Sequence, residues 1–287
     1  MNNFTIVSYN IQYSLGTDNR YDLARCVDVV RDAEIICLQE IDRNWRRTKM
    51  ADQFIEIQTL LPDRYCVFGP SLDVDASAVK PDGSIDNRRR QSGQMTISKY
   101  PIASARVIHL PKDDTGEQMN SWCAALETVI LTPQKPIRVI NLHLTDVSEP
   151  NRVSQITALI KHCENAPTEG GAWNGKEWDE MSREHWQLND PAPPMPFEII
   201  LTGDFNDEPN SRTTELIRQA NYFDTWQPTS LSGPGVTFKT NPEQGTDRDM
   251  RIDFIFASAH FEVKSSHIDE DTDASDHQPV WATLGFK

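Results

Sequence analysis

Short runs of β-branched and other apolar residues recur along this chain, and several are apolar throughout instead of alternating with polar residues. A strand of that kind is buried on both faces, so the chain has to supply a second packed layer for each sheet. The runs predict strands at Phe4–Tyr9, Glu34–Gln39, Tyr65–Phe68, Gly93–Ser98, Ala124–Leu131, Ile137–His143, Glu198–Thr202, Ile252–Ala257, Phe261–Ser266 and Val280–Leu284. Between them, Leu23, Val27 and Val30 recur at helical spacing. So do Phe54, Ile57, Leu60 and Leu61, then Val153, Ile156, Leu159 and Ile160, and finally Leu216, Ile217 and Ala220. Two sheets packed together with helices outside satisfy this pattern. The 287 residues, 38% hydrophobic and 25% charged, suit one α/β domain without an internal boundary.

Four of the runs end in polar clusters: SYNIQ (Ser8–Gln12), CLQEID (Cys37–Asp42), TGDFND (Thr202–Asp207) and SDHQPV (Ser275–Val280). NLHLT around His143 and RIDFIF around Asp253 add two more. Together they offer two histidines (His143, His277), four acids (Glu40, Asp204, Asp253, Asp276) and two amides (Asn10, Asn206) from strand ends. Magnesium and manganese take oxygen ligands and keep several waters, so one or two carboxylates plus a substrate phosphate complete their shell. Glu40 is the natural ligand. Hydrolysis of a phosphate ester needs an oriented water, a neutralised phosphoryl oxygen and a helped leaving group, and Asp204, Asn206 and His277 suit those tasks. An acid that fixes the imidazole tautomer completes the set, and Asp253 is the candidate partner of His277.

The order Asn10, Glu40, His143, Asp204-x-Asn206, Asp253, Asp276-His277 resembles the endonuclease/exonuclease/phosphatase superfamily, the fold of exonuclease III, pancreatic-type deoxyribonuclease and neutral sphingomyelinases. The resemblance runs from residue 4 to residue 284 and rests on motif identity, order and strand context together. It implies a four-layer αββα sandwich of two packed mixed β-sheets flanked by helices. It also implies that Glu40 is the divalent-metal ligand, with Asn10 beside it in the metal shell or on the phosphate. Asp276 would be a second-metal or outer-shell carboxylate. Asp204 would orient water or handle the leaving-group proton, and Asn206 would hold the phosphate. His277 would contact the scissile phosphate, supported by Asp253, with His143 as the second histidine; which group takes the proton stays open. Exonuclease III-type enzymes tend to carry tyrosine where this chain has His143. The tryptophan-cysteine-aspartate-arginine run of inositol polyphosphate 5-phosphatases is absent before Ile252. The resemblance is nearest to bacterial phosphodiesterases grouped with sphingomyelinase and deoxyribonuclease.

A net charge of −15 disfavours a phosphate backbone as partner, because non-specific nucleic-acid binders gather Lys and Arg into a stripe. The dense basic clusters are Arg46-Arg47 and Arg88-Arg89-Arg90, and the latter suits a substrate's distal phosphate or carboxylate. The acids of DVDASAVKPDG before it are wrongly spaced for a calcium-binding EF-hand. Residues 165–196 form a Trp/Pro-rich insertion, with Trp173, Trp178 and Trp186, that reads as a lid or side wall over the site.

No run approaches a membrane span, Phe4–Tyr9 already reads as a strand instead of a signal peptide, and five cysteines lack a CxxC pair. A cytoplasmic monomer is the default expectation. The expected activity is Mg²⁺- or Mn²⁺-dependent hydrolysis of a small or lipid-derived phosphodiester. A nuclease acting on DNA or RNA is the first alternative and a non-catalytic binding scaffold of the same fold the second.

Overall fold

A computed structural model describes residues 3–113, 119–174, 192–226, 235–240 and 248–287. Within them the apolar runs pair into two six-stranded mixed sheets. The first contains β1 (Asn3–Asn10), β2 (Ile35–Arg43), β3 (Tyr65–Asp75), β6 (Arg89–Ser98), β13 (Phe261–Ile268) and β14 (Val280–Phe286), in the order β13-β14-β1-β2-β6-β3. The second contains β7 (Ile102–His109), β8 (Ala124–Leu131), β9 (Pro136–His143), β10 (Ile199–Asp204), β11 (Tyr222–Asp224) and β12 (Asp253–Ser258), in the order β11-β12-β10-β9-β8-β7.

Helices α1 (Leu23–Val30) and α2 (Gln53–Leu60) cover the outer face of the first sheet, where Leu23, Cys26, Val27, Val30 and Ile57 meet Val7, Tyr9, Ile36 and Leu38. Helices α3 (Glu149–Glu169) and α4 (Arg212–Gln219) do the same for the second sheet, packing Ile156, Leu159, Cys163 and Ile217 on Ile140, Leu142, Leu201 and Phe254. Asp22, Asp52, Ser148 and Ser211 cap the four helices, each accepting a first-turn N–H that would otherwise lack a partner. Between the sheets lie Ile6, Ile35, Cys37, Val139, Ile200, Ile255 and Ala257. This is the four-layer αββα sandwich expected from the sequence.

Strand parity carries the argument from this core to the rim, because alternate residues share a face. Stepping by two from the inter-sheet residues Ile6, Cys37, Val139 and Ile200 leads through Ser8, Gln39, Asn141 and Thr202 to Asn10, His143 and Asp204. The space between the sheets is thus apolar at one end and polar at the other. Each sheet holds one parallel pair, β1 with β2 and β9 with β10, joined by crossovers containing α1 and α3. Parallel partners end on the same side, so both pairs deliver their polar C-terminal residues to one rim.

Glu40 breaks the parity rule: one residue beyond Gln39, it should share the helix-facing side with Leu38. A β-bulge prevents this. The register of β2 on β6 jumps from Leu38↔Met95 to Ile41↔Gly93, and Glu40 takes a left-handed backbone with φ of 60°. The bulge disturbs ladder bonding, and the side chain of Asn141 crosses from the other sheet to donate to the carbonyls of Leu38 and Met95 at 3.1 and 3.0 Å. Gln39 donates back to Asn141 Oδ1 at 2.8 Å. Gly203 answers a different need, since a Cβ there would stand 1.9 Å from the Leu142 carbonyl oxygen.

Several elements exceed the expectation. β3 continues past Phe68 to Asp75 and β6 begins at Arg89, so the polar segment 72–90 is largely an antiparallel arm tipped by the short pair β4 (Ala78–Val79) and β5 (Ile85–Asp86). β7 and the three-residue β11 are also additional. These are edge or half-exposed strands, whose residues carry no apolar run. α3 extends to Glu169, so residues 165–169 are helical and not part of an irregular insertion. The rest of the expected lid, including Trp178 and Trp186, lies largely outside the described residues. No helix among the described residues is long and apolar enough to cross a membrane.

Under α3, Arg138 is fully buried with its Nε 3.3 Å from Glu127, which also meets His162 at 2.6 Å and Arg106 at 3.1 Å. Burial opposes the Glu127 carboxylate, but His162, Arg138 and Arg106 outweigh it and hold the pKa down at about 2. A carboxyl lowered on folding stabilises the fold above its unfolded pKa, and that contribution disappears as pH falls from the ordinary carboxylate range toward 2. Urea unfolding should therefore find Glu127→Gln less stable than wild type by about 3 kcal/mol at pH 7, with the gap narrowing through that acid window. Asn141→Ala strands the bulge carbonyls, and the same measurement should show a loss of about 1–3 kcal/mol for each group left unpaired.

Candidate active site

Asp204 closes β10, paired with His143 of parallel β9 on one side and Asp253 of antiparallel β12 on the other. Its Oδ2 accepts from Asn10 Nδ2 at 3.0 Å and lies 3.5 Å from His143 Nε2 and 3.7 Å from His277 Nε2. Its Oδ1 accepts the backbone N–H of Asn206 at 2.9 Å, which folds the DFN turn back on itself. Asn206, left-handed with φ of 51°, donates from Nδ2 to the Leu144 carbonyl at 2.9 Å and stands 3.1 Å from His143 Nε2. One carboxylate oxygen thus lies at the crossing of side chains from both sheets.

His277 is held from two directions. Its Nδ1 is 2.8 Å from Asp253 Oδ2, which leaves Nε2 facing Asp204. Its N–H donates to Ser275 Oγ, whose hydroxyl donates to the Asn10 carbonyl at 2.8 Å. The ring of Phe238 packs edge-on against it with centroids 5.0 Å apart. Burial disfavours the charged imidazolium, yet the carboxylates of Asp253, Asp204 and Asp276 outweigh it and raise the His277 pKa. Burial also raises the Asp253 carboxyl, against the pull of His277.

On the first sheet, Asn10 Nδ2 also donates to Glu40 Oε1 at 3.1 Å, while its Oδ1 is turned to the Gln12 N–H at 3.0 Å. Asn10 therefore bridges two carboxylates here instead of presenting its own oxygen to the site. Asp276 is 5% exposed; burial raises its pKa, and the charges of Glu40 and Asp204 raise it further against His277. Three carboxylates gathered in one place make an oxygen-rich negative well, which suits a hard divalent cation. One ligand atom each from Asp204, Asp253 and His277 also falls within 4.8 Å of the others. Asp253 and His277 are bonded to each other through Oδ2 and Nδ1, while the charges of Glu40 and Asp204 both act on Asp276.

The structure brings together Asn10, Glu40, His143, Asp204, Asn206, Asp253, Asp276 and His277. It does not bring Trp173 to them: α3 leaves the rim just after His143 and carries the chain back, and Trp173 follows its far end. Trp178 lies outside the described residues. Arg88, Arg89 and Arg90 stand on the arm that continues past the rim, but Arg88 is paired with Asp86 and Arg89 with Asp73, both at 2.7 Å. Sequence reasoning missed Asn141, Gln53, Ser275 and Thr237. Asn141 left a signal, as an amide inside an apolar strand; Thr237, which accepts the N–H groups of Ile252 and Asp253, left none.

No curated protein matches the sequence significantly. Among solved structures, the fold is similar to an endonuclease/exonuclease/phosphatase from Beutenbergia cavernae (TM-score 0.70, 19% identity, covering 100% of this chain and 72% of that one). A second from Bacteroides vulgatus gives a TM-score of 0.69 at 18% identity over 100% of both chains. A mannosyl-6-phosphatase of Bacteroides thetaiotaomicron gives 0.66 at 17%, covering 99% of this chain and 100% of that one. Likeness at such identities establishes the fold alone. The sequence itself matches the Endonuclease/Exonuclease/phosphatase family over residues 7–277. With the fold and the sequence in agreement, the chain belongs to the Endonuclease/Exonuclease/phosphatase family, whose members are hydrolases of phosphate esters and generally depend on a divalent metal.

Proposed function

We propose that this protein is a Mg²⁺- or Mn²⁺-dependent phosphodiesterase that hydrolyses a small or lipid-derived phosphate ester through in-line attack of water. The observation that carries this reading is Asp204 Oδ2, within 3.7 Å of Asn10, His143 and His277 at once. Glu40 would hold the cation, with Asp276 as the adjoining carboxylate and Asn10 keeping Glu40 in place. The cation, when bound, neutralises phosphoryl oxygen charge. Asn206 and His143 would hold the phosphate from the second sheet. Asp204 would orient the attacking water or handle the leaving-group proton. His277, fixed by Asp253, would contact the scissile phosphate with Nε2, as the acid-fixed imidazole of many hydrolytic sites does.

A small substrate is supported by the fate of the basic clusters. Arg88 and Arg89 are spent on neighbouring aspartates, and the net charge is −15, so a stripe for a nucleic-acid backbone is missing among the described residues. A nuclease is the second reading, favoured by the family's range of phosphate-ester substrates. Five unpaired cysteines, four of them buried, support a reducing compartment such as the cytoplasm.

Hydrolysis of bis-p-nitrophenyl phosphate, a phosphocholine ester, and single- and double-stranded DNA should be compared with Mg²⁺, Mn²⁺ and EDTA. Turnover of a small diester, abolished by EDTA, is expected; faster turnover of DNA would replace this reading with the nuclease, and inertness toward all would favour a binding scaffold. His277→Ala should lower kcat by about 100- to 10,000-fold in a chain that still folds, with circular dichroism as the check. Glu40→Gln should raise the Mg²⁺ concentration needed for half-maximal rate, and a metal titration that leaves this value unmoved removes Glu40 from the cation site.

A further inference from the structure

Beside the Glu40 edge of the site lies a second cationic feature that the roles above leave unused. Gln12, Tyr13 and Ser14, one residue past Asn10, are all left-handed, with φ of 44°, 43° and 70°. None is glycine, and each such residue costs roughly 1–2 kcal/mol, so the surroundings must impose the turn. Gln53 does so. Its Nε2 donates to the Tyr13 carbonyl at 2.8 Å and to Ser14 Oγ at 2.9 Å, while its Oε1 accepts the Asp42 N–H at 2.8 Å.

Two of the residues tied by Gln53, Tyr13 and Asp42, grip the same guanidinium, that of Arg47. Arg47 donates from Nε and Nη2 to Asp42 at 2.7 and 2.9 Å, and Asp42 is completely buried. The Arg47 Cζ lies 3.9 Å from the Tyr13 ring centroid and 4.7 Å from that of Trp45. One edge and the faces are therefore occupied, while Nη1 has no hydrogen-bond partner among the described residues and the side chain is 38% exposed. Arg90 also lies over Trp45, at 5.5 Å, and Trp45 is fixed by donating Nε1 to the Gln91 carbonyl at 2.7 Å. Among the described residues Arg90, unlike Arg88 and Arg89, has no carboxylate partner, and its buried Nε has no hydrogen-bond partner. A guanidinium immobilised on one edge and open on the next is ready for bidentate binding of an oxyanion.

We propose that Arg47 and Arg90, braced on Tyr13 and Trp45, form a second oxyanion subsite on the Glu40 side of the reaction centre, so that the substrate carries a phosphate or carboxylate beyond the ester that is cleaved. The substrate assignment rests on the ester-hydrolase reading; the subsite itself rests on the geometry of the four side chains. An acidic protein that leaves Arg90 without a carboxylate and one edge of Arg47 open concentrates its attraction for anions at that place.

Calorimetric binding to the Mg²⁺-loaded full chain should compare methylphosphonate with ω-phosphonocarboxylates of increasing chain length, which keep the phosphonate and add one carboxylate. At least one phosphonocarboxylate should bind about tenfold or more tightly than methylphosphonate, the scale of a charge-assisted pair. Arg90→Gln and Arg47→Lys should each reduce that ratio severalfold. Arg47→Lys disturbs a buried partner, so its melting curve is recorded alongside; Arg90→Gln orphans no carboxylate and decides the matter if Arg47→Lys does not fold. A ratio near one for every chain length, or a ratio unchanged in Arg90→Gln, overturns the subsite. Binding needs no turnover, so a protein with the preference but no hydrolysis of any ester would instead overturn the hydrolase reading.

Discussion

Glu40 reaches the reaction centre because an amide from the opposite sheet holds a bulge open. Asn141 gives both its N–H groups to carbonyls flanking the bulge of β2 and β6, and takes one from Gln39 in return. A flat strand would turn Glu40 toward the helices, and a free bulge would leave backbone oxygens unpaired in a place closed to water. The same three side-chain contacts also tie the two sheets together directly beneath the site. Sheet packing and placement of the Glu40 carboxylate are therefore one event.

The two halves of the sandwich solve the same problem in parallel. Each has a single parallel strand pair whose C-terminal ends carry polar residues, and each places a left-handed residue just where its functional side chain must leave the strand direction: Glu40 in one sheet, Asn206 in the other. Antiparallel neighbours complete the set from the opposite chain direction, β12 with Asp253 at its start and β14 preceded by Asp276 and His277. Chemistry is thus confined to one rim, on rigid strand ends, while the inter-sheet space below stays apolar and supplies the stability.

Charge is organised with the same economy. The net charge of −15 sits alongside a buried ion pair, Glu127 with Arg138, and a buried carboxylate, Asp42, held by the partly exposed Arg47. At the rim, carboxylates crowd until burial and mutual repulsion raise the Asp276 carboxyl and Asp253, a strain that a cation or the His277 imidazolium relieves. Arg47 and Arg90 stand beside that negative well with unpaired edges, on the side where the arm of β3 and β6 continues past the sheet.

The sequence alone determined the αββα layering, since apolar runs and helical spacing dictate which residues are buried, and it determined the identities of the clustered acids, histidines and amides. Edge strands such as β7 and the polar arm of β3 and β6 escaped it, because half-exposed strands carry no apolar signature. Only the tertiary structure decided that Glu40 faces inward against its own parity, and that Asn10 spans Glu40 and Asp204 across two sheets. It likewise decided that Trp173 leaves from the end of α3 remote from the rim, and that two of three adjacent arginines are neutralised by aspartates. Each of these depends on which groups meet across the fold, and contacts between residues far apart in the chain follow from register, bulges and crossover direction, none of which local composition encodes.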